Sequence, residues 1–493
     1  MASLQPGAGA AAAATRRLSD LPGPLGLPLI GNLLQLDAPR MHQVLEHWSR
    51  QYGECFRFRI TNRRYLVTSN PQTIATVLRD RPDTFQRTTR FSETAREMLF
   101  DGVLAANGER WRRQRPMVMA SFDPGHTKSF FPALVRVTER FARRWHRFVE
   151  RGEAIDLQSD LMRYTVDVTA GLAFGADINT IESEGEVIQR HLDKVLPAFF
   201  RRVMSGLPYW RYFKLPADRE LDRHLAALDE AVAGFITLAR ARMDRDPALR
   251  QRPGNLIEAM IAARDAEGSG LDDGDVAGNV MTMLLAGEDT TANTLAWMTY
   301  LMHAHPDVMQ RAAEEVRQVI GAAAFAREYE QLGALKFLEA CANETLRLKP
   351  VVPINATQAV RDTVVDGIHV PAGTLVMCLM RPPAIDERHF PNAHTFYPQR
   401  WLSDSAQAAA SAKRVAMPFG AGPRLCPGRY LAMVEIKMVM AMLLGSFEIE
   451  AVQTPDGREP QERLALTMAP VGLRLKLRTR PGSAASGGAA RED

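Results

Sequence analysis

The stretch that organises this chain reads Pro418-Phe419-Gly420-Ala421-Gly422-Pro423-Arg424-Leu425-Cys426-Pro427-Gly428, and it directly precedes an apolar run from Leu431 to Leu444. Pro427 suits the first position of a helix, where a missing N–H costs nothing. Cys426 is therefore expected at a helix N-terminus, which favours a thiolate. A free thiol has a pKa of about 8.5, so holding a thiolate at pH 7 costs about 2 kcal/mol. A helix end contributes only about 0.3–1 kcal/mol, and a metal ion is the obvious candidate for the remaining stabilisation.

Five positions at fixed offsets in this loop form a recognisable pattern: Phe419, Gly422, Arg424, Cys426 and Gly428. The pattern resembles the haem-binding loop of the cytochrome P-450 family, the haem-thiolate monooxygenases. The resemblance implies that Cys426 is the axial thiolate ligand of haem b, that Arg424 binds a haem propionate, and that Phe419 lies near the porphyrin. The alternative is a tight turn that caps a helix and buries one cysteine. The full pattern argues against it, because each residue has a separate task.

The composition is that of an ordinary globular protein. The chain has 493 residues, of which 46% are hydrophobic and 24% charged, and its net charge is +4. No block of Lys and Arg predicts a nucleic-acid partner. The four cysteines, Cys55, Cys341, Cys378 and Cys426, are scattered. They indicate neither a disulfide framework nor a zinc ribbon, and they favour a reducing compartment.

No segment has the roughly 20 apolar residues that a transmembrane helix needs. The run over 21–36 is interrupted by three prolines, and the N-terminal alanines lack the basic residues of a signal peptide. We therefore expect a soluble, cytoplasmic protein without a membrane anchor, similar to bacterial members of the family. Residues 1–20 are predicted to be flexible, 21–480 to form one catalytic domain, and 481–493 to form a flexible tail.

Most of the chain has the apolar spacing of long helices. The predicted helices cover 41–52, 132–149, 157–174, 184–200, 219–243 and 271–303. Alternation predicts a hairpin over 55–67 and further strands over 362–376, 447–451 and 464–477. Residues 85–105 lack clean periodicity, so we expect an irregular connection there, which in the family walls the substrate pocket. Residues 207–213 resemble the family's mobile lid.

Trp111 and Arg115 lie one turn apart on a predicted helix that opens after Gly108. The family has a Trp-x-x-x-Arg pair there that donates to the haem propionates, and the resemblance implies this role for Trp111 and Arg115. The alternative is an amphipathic helix with solvated basic residues. Many members carry another propionate-binding arginine after the strand that contacts substrate. In this chain Thr357 or Gln358 occupies that place, so we assign no propionate-binding role there.

The segment 271–303 contains Gly287-Glu288-Asp289-Thr290 within an apolar centre. Acidic and hydroxyl side chains are costly there unless they serve a purpose. The resemblance implies that Gly287 makes room for dioxygen, that Thr290 hydrogen-bonds it, and that Asp289 belongs to the proton relay. Glu288 stands at a variable position and is assigned no role. The alternative is a polar ridge on a long helix.

Glu344 and Arg347 form a Glu-x-x-Arg pair, a spacing that is common in helices. Glu220 and Arg223 have the same spacing. Only the former pair precedes predicted strands and then the cysteine loop. In the family this pair is buried and binds a third arginine, which the resemblance places at Arg400 in Phe396-Tyr397-Pro398-Gln399-Arg400-Trp401.

These motifs occur in family order over about 22–477. The resemblance implies a mainly α fold with small β-sheets (α+β), a triangular helical body with haem between the long central helix and the cysteine loop. It implies a monomeric monooxygenase that activates O2 to hydroxylate or epoxidise a lipophilic small molecule. Electrons are expected from NAD(P)H through a separate ferredoxin or flavodoxin with its reductase. An acidic partner is expected to dock at Arg112, Arg113 and Arg429.

Two alternatives stay open. One keeps haem but uses no external electrons, as a peroxygenase or isomerase, and the Asp289–Thr290 pair argues against it. The other is a haem-based sensor or a structural helical protein, for which the sequence offers no signalling or DNA-binding module.

Overall fold

The computed structural model describes residues 15–122, 124–183, 188–321, 323–402 and 406–481. The α-helices, numbered in chain order, are α1 (Met41–Tyr52), α2 (Pro71–Arg79), α3 (Thr89–Glu97), α4 (Gly108–Ser121), α5 (Pro124–Arg151), α6 (Leu157–Phe174), α7 (Ile188–Met204), α8 (Pro216–Arg245), α9 (Leu256–Asp265), α10 (Asp273–His303), α11 (Pro306–Ile320), α12 (Tyr329–Ala334), α13 (Lys336–Leu348), α14 (Arg381–Ala384), α15 (Ala406–Ala416) and α16 (Arg429–Ser446). Short 3-10 helices include Tyr209–Arg211, Pro398–Trp401 and Gly422–Arg424.

The strands are short and form small sheets. They are β1 (Arg16–Arg17), β2 (Cys55–Ile60), β3 (Arg63–Thr68), β4 (Phe85–Gln86), β5 (Ile155–Asp156), β6 (Ile354–Ala359), β7 (Thr363–Val365), β8 (Ile368–Val370), β9 (Leu375–Leu379), β10 (Phe447–Gln453), β11 (Glu462–Ala465), β12 (Thr467–Pro470) and β13 (Arg474–Thr479). The largest sheet has the order β2-β3-β9-β6-β4, in which β3 and β9 run parallel. Smaller sheets have the orders β1-β8-β7 and β10-β13-β5, and β11 pairs with β12 as a hairpin. The predicted mainly α fold with small sheets is confirmed.

Helix α10 forms the axis of the core. It begins with a capping box, in which Asp272 accepts the amide of Asp275 at 2.7 Å and Asp275 accepts that of Asp272 at 3.2 Å. Most of its central residues are buried, on whichever side of the helix they lie. It packs against α6, α13 and α16. Polar residues in its centre therefore lie deep in the protein.

The N-terminal segment joins this body in its described part. Arg16 and Arg17 pair in parallel with β8, and Leu18 and Leu21 are buried. Residues 1–14 of the segment predicted to be flexible lie outside the described residues, as does the predicted tail from 482 onward. No helix in the described ranges is long and apolar enough to cross a membrane.

Three predicted elements differ from the structure. Residues 89–97 form helix α3 inside the segment predicted to be irregular; this short helix has only two apolar residues, Phe91 and Ala95, which is too few to predict it. Helix α5 begins at Pro124 and continues through Pro132, which was predicted to open it. Helix α16 begins at Arg429, not at Pro427, because Gly428 takes the N-cap position.

Candidate active site

The cysteine loop folds tightly against the end of α2. Gly422 has a φ of +71°, and a Cβ atom there would lie 2.5 Å from the carbonyl oxygen of Leu78. Both the left-handed backbone and the close approach therefore require glycine. The amide of Cys426 donates to the carbonyl of Phe419 at 3.1 Å and closes the loop. Phe419 itself is half-buried.

Cys426 lies two residues before the N-cap of α16. Burial raises the pKa of its thiol, and the backbone amide of Gly428 together with the charges of Arg115 and Arg429 lower it only in part. The protein groups alone thus leave the thiol protonated near neutrality. In the part of the chain that the structure describes, no three His, Cys, Asp or Glu side chains are grouped to hold a metal ion. A single cysteine suits a metal that is already bound by a cofactor, as the iron of a porphyrin is.

Four arginines with no carboxylate partner among the described residues surround this loop: Arg81, Arg87, Arg115 and Arg424. Their guanidinium groups donate instead to the backbone carbonyls of Leu78 at 3.2 Å, Leu104 at 3.0 Å, Leu425 at 2.5 Å and Ala106 at 2.6 Å, respectively. Trp111 is buried beneath Arg424, with the guanidinium carbon 4.8 Å from the ring centroid. The structure therefore brings the predicted residues Trp111, Arg115 and Arg424 together beside Cys426.

The charges of this arginine cluster are uncompensated within the described protein. Burial, followed by the charges of Arg87, Arg81 and Arg115, lowers the pKa of Arg424 to about 8. Burial likewise lowers the pKa of Arg81 to about 9 and that of Arg87 to about 10. The Nε of Arg424 is buried without a hydrogen-bond partner among the described residues. Because unpaired buried cations are costly, the cluster fits a ligand with two carboxylates, which haem supplies.

Arg81 and Arg87 were missed by the sequence analysis. Arg81 follows α2 and reaches the side chain of Asn355 on β6 and the carbonyl of Ala421, at 3.5 and 3.4 Å. Asn107 links Arg87 to Arg424. Its side-chain amide group donates to the backbone carbonyl of Arg87, and its Oδ1 accepts from the backbone amide of Arg87 and, at 3.3 Å, from Arg424. Their place can be derived only from tertiary packing, since an arginine after a short helix is usually solvated.

On α10, Ala286 and Thr290 occupy the accessible side of an otherwise buried turn. The hydroxyl of Thr290 donates to the carbonyl of Ala286 at 2.9 Å. Gly287 faces elsewhere: a Cβ atom there would lie 2.7 Å from Oγ1 of Thr169 on α6. The structure thus places Gly287 at the packing surface of α6, and its role in making room for dioxygen stays a prediction. The residue on the side of Thr290 is Ala286, one helical turn earlier.

Asp289 is buried in a polar network that does not include Thr290. Thr467, at the tip of the β11–β12 hairpin, donates to its Oδ2, and Asn293 donates to its Oδ1 at 2.9 Å. Gln158 on α6 donates to Asn293 at 2.7 Å. Burial raises the pKa of Asp289, against the lowering effect of its bonds from Thr467 and Asn293. The sequence offered one signal for Asn293, namely its position one turn after Asp289.

The Glu-x-x-Arg pair lies away from these groups, in the core behind the loop. Arg347 donates to both oxygens of Glu344 at 2.8 Å, and both side chains are fully buried. Arg400 donates to Glu344 at 3.0 Å, and Trp401 donates to it at 2.8 Å. The structure brings the three predicted residues together as a structural cluster.

The chain is similar to known proteins over nearly its whole length. A family model described as Cytochrome P-450 matches residues 21–477. The chain is 27% identical to a self-sufficient cytochrome P-450 monooxygenase of Aspergillus niger, covering 95% of this chain but only 44% of that protein. It is 28% identical to the cyclooctat-9-en-7-ol 5-monooxygenase of Streptomyces melanosporofaciens, covering 87% and 89%. It is 27% identical to the pentalenene oxygenase of Streptomyces avermitilis, covering 93% and 97%.

Proposed function

Since the chain belongs to the cytochrome P-450 family, we propose that Cys426 is the thiolate ligand of its haem b and that the enzyme hydroxylates or epoxidises a lipophilic small molecule. Family membership makes it a haem-thiolate oxidoreductase that oxygenates hydrophobic substrates. The observation that carries the assignment to these residues is the single cysteine loop beside four arginines without a carboxylate. Within the described residues, those charges have no other counterpart.

The chain's own groups divide the work of binding the cofactor. Cys426 would ligate the iron, and because the pKa of its thiol is raised, the thiol would give up its proton on doing so. Arg424, Arg115 and Trp111 lie at the edge of the loop and would hold the propionates, aided by Arg87. When bound, haem supplies reductive O2 activation, with electron density from the thiolate favouring O–O cleavage.

Protons are handled on the side of α10. Thr290 already donates its hydroxyl hydrogen to Ala286, so its oxygen lone pairs are free to accept a hydrogen bond from a proton donor. Asp289 holds a proton more readily than an ordinary aspartate, because burial raises its pKa. Thr467 and Asn293 fix the orientation of this carboxyl group. We assign proton supply to Asp289 and proton positioning to Thr290, as in the predicted relay.

Electrons are proposed to come from NAD(P)H through a ferredoxin or flavodoxin and its reductase. An acidic partner is proposed to dock near Arg429, whose guanidinium lies 3.3 Å from the carbonyl oxygen of Cys426. Arg112 is less available, because Asp83 and Glu109 already bind it, and Arg113 donates to the carbonyl of Gly270. Reversing the charge of Arg429 should slow electron transfer; unchanged rates would remove this docking face.

The substrate is proposed to be a lipophilic small molecule such as a terpenoid, fatty acid, steroid or polyketide. Two relatives are named for pentalenene and for cyclooctat-9-en-7-ol, which makes such compounds the first to test. A panel of pentalenene, dodecanoic acid and progesterone is screened by the absorption change of the haem on binding. Turnover with peroxide but with no electron-transfer partner would favour the peroxygenase alternative.

The ligand assignment is tested by replacing two cysteines separately. Cys426→Ser should lose the absorption band of the thiolate-ligated carbonyl complex, whereas Cys55→Ser should keep it. Cys55 is a matched control, because it is also half-buried and unpaired by a disulfide. Retention of the band in Cys426→Ser would show that another residue ligates the iron.

A further inference from the structure

A seam of buried polar side chains lies between α6, α7 and α10. Its members are Thr165, Thr169, Gln189, Glu288, Asp289 and Asn293, and each is more than nine-tenths buried. The hydroxyl of Thr165 donates to the backbone carbonyl of Glu288 at 3.1 Å, which joins α6 to α10. Glu288 is two residues from Thr290, so the two side chains leave α10 on opposite sides. This polar seam has no role in binding the cofactor.

Glu288 is the least satisfied member of the polar seam. Its side chain is 1% exposed, and neither carboxyl oxygen has a hydrogen-bond partner among the described residues. Oγ1 of Thr169 and Oε1 of Gln189 are also buried without a partner there. An unpaired buried carboxylate is far more costly than a neutral acid. Glu288 is therefore protonated, and burial, followed by the charges of Asp193 and Asp289, raises its pKa well above the ordinary value.

Two other carboxyl groups act on Glu288. Asp193 on α7 has an exposed side chain and accepts a hydrogen bond from Gln189 at 3.4 Å. The surrounding protein and the charge of Asp289 raise the pKa of Asp193 to about 6, while Arg163 and Lys194 lower it. Asp289 lies at the other end, bound by Thr467 and Asn293. The charges of two acids thus bear on Glu288: Asp193, which is exposed, and Asp289, the acid proposed to serve the reaction.

We propose that Glu288 is a second proton-carrying group of this enzyme, which protonates Asp289 and is itself reprotonated from solvent through Asp193. The inference rests on the proposed role of Asp289. In the transfer, the O–H bond of Glu288 breaks, its electron pair stays on Glu288, and a new O–H bond forms on the Asp289 carboxylate. A proton from solvent water then enters through Asp193 and restores Glu288. Because the carboxyl oxygens of Glu288 have no hydrogen-bond partner among the described residues, the proton reaches and leaves Glu288 through bridging water.

The protonation state is tested by infrared spectroscopy of the haem-bound protein. At neutral pH the carbonyl stretch of a protonated carboxylic acid should be present and should be lost in Glu288→Gln. Glu435 on α16 is the matched control, because it is also fully buried and its pKa is also raised. Glu435→Gln should remove a separate band. If Glu288→Gln removes no band, Glu288 is ionised and the proposal fails.

The route is tested by transferring the protein to D2O, a measurement that needs no turnover. Asp193→Asn should slow the deuterium shift of the Glu288 band about tenfold or more and leave that of the Glu435 band unchanged. If the Glu288 band shifts at the same rate in Asp193→Asn and in the unmodified protein, protons do not enter through Asp193. Because this measurement does not depend on activity, it separates failure of this inference from failure of the proposed function.

Turnover with NADPH, a plant-type ferredoxin and its reductase tests the transfer to Asp289. Glu288→Gln should keep the thiolate-ligated spectrum but form product roughly a hundredfold more slowly, the loss expected when one proton donor is removed. Glu288→Asp should restore part of the rate, and Glu435→Gln should match the unmodified enzyme. If Glu288→Gln does not fold, Glu288→Asp is used in its place, because the carbonyl stretch of the protonated acid should then appear at a different frequency. A wild-type rate in Glu288→Gln would refute the transfer.

Discussion

Replacing Glu344 with alanine tests the buried cluster behind the haem loop. Glu344 accepts hydrogen bonds from Arg347, Arg400 and Trp401 and from the backbone amide of Tyr397. The substitution leaves the guanidinium of Arg347 fully buried without its carboxylate. Breaking a buried pair by removing one partner costs about 3–5 kcal/mol. The ratio of folded to unfolded protein should therefore fall roughly 150- to 5,000-fold.

The measurement is urea unfolding of the haem-bound protein, followed in parallel by far-ultraviolet circular dichroism and by haem absorbance. Glu220→Ala is the matched control, because Glu220 and Arg223 have the same sequence spacing but are exposed. An exposed pair contributes no more than about 1 kcal/mol. The control should therefore unfold close to the unmodified protein. If Glu344→Ala and Glu220→Ala unfolded at the same urea concentration, the argument from burial would be refuted.

Three further predictions concern the site. Thr290→Ala should keep haem but release peroxide and lower product per NAD(P)H roughly a hundredfold. Thr299→Ala is the control, because the hydroxyl of Thr299 also donates to the carbonyl one turn back on α10, and it should form as much product per NAD(P)H as the unmodified enzyme. Equal product per NAD(P)H in the two variants would contradict the role of Thr290. Arg424→Gln should speed the transfer of haem to a haem-free globin roughly 10- to 100-fold, because it removes a hydrogen bond from a charged group worth about 1.5–3 kcal/mol of haem affinity. Arg414→Gln, at an exposed arginine, should leave the transfer rate unchanged. Equal transfer rates in the two variants would count against the arginine cluster. The pKa of Asp193 is raised to about 6 in the folded state, so the folded protein holds this proton up to a higher pH than the unfolded chain does. The free energy of unfolding of the unmodified protein, compared with that of Asp193→Asn, should therefore be highest below about pH 4 and should decline as the pH rises to about 6. A pH-independent difference in urea midpoints would rule out that shift.

The sequence was most informative where one residue type has one task. Cys426, Arg424 and Gly422 are each required by local chemistry or backbone geometry, so a pattern over a few positions placed them. The long helix α10 was equally predictable, because an apolar run of that length has few other solutions. Glu344 and Arg347 could be separated from pairs with the same spacing only by their order along the chain.

The remainder depends on tertiary packing. Arg81 and Arg87 join the cluster because α2 and β4 fold against the cysteine loop, and nothing in their neighbours along the chain distinguishes them from solvated arginines. Gly287 faces α6 rather than the accessible side because a one-residue step rotates a side chain by about 100° around a helix. Glu288 was assigned no role because it stands at a variable position of the motif, and its surroundings come from α6 and α7, which are distant in sequence.

The arginine cluster has a consequence for the life of the protein in the cell. Without its dianionic ligand, the folded chain concentrates like charges in its interior, and haem binding removes that penalty in addition to contributing its own affinity. The haem-free chain therefore opens more often and is more available to proteases. Cellular abundance of this enzyme should follow the supply of haem, independently of the rate at which its message is translated.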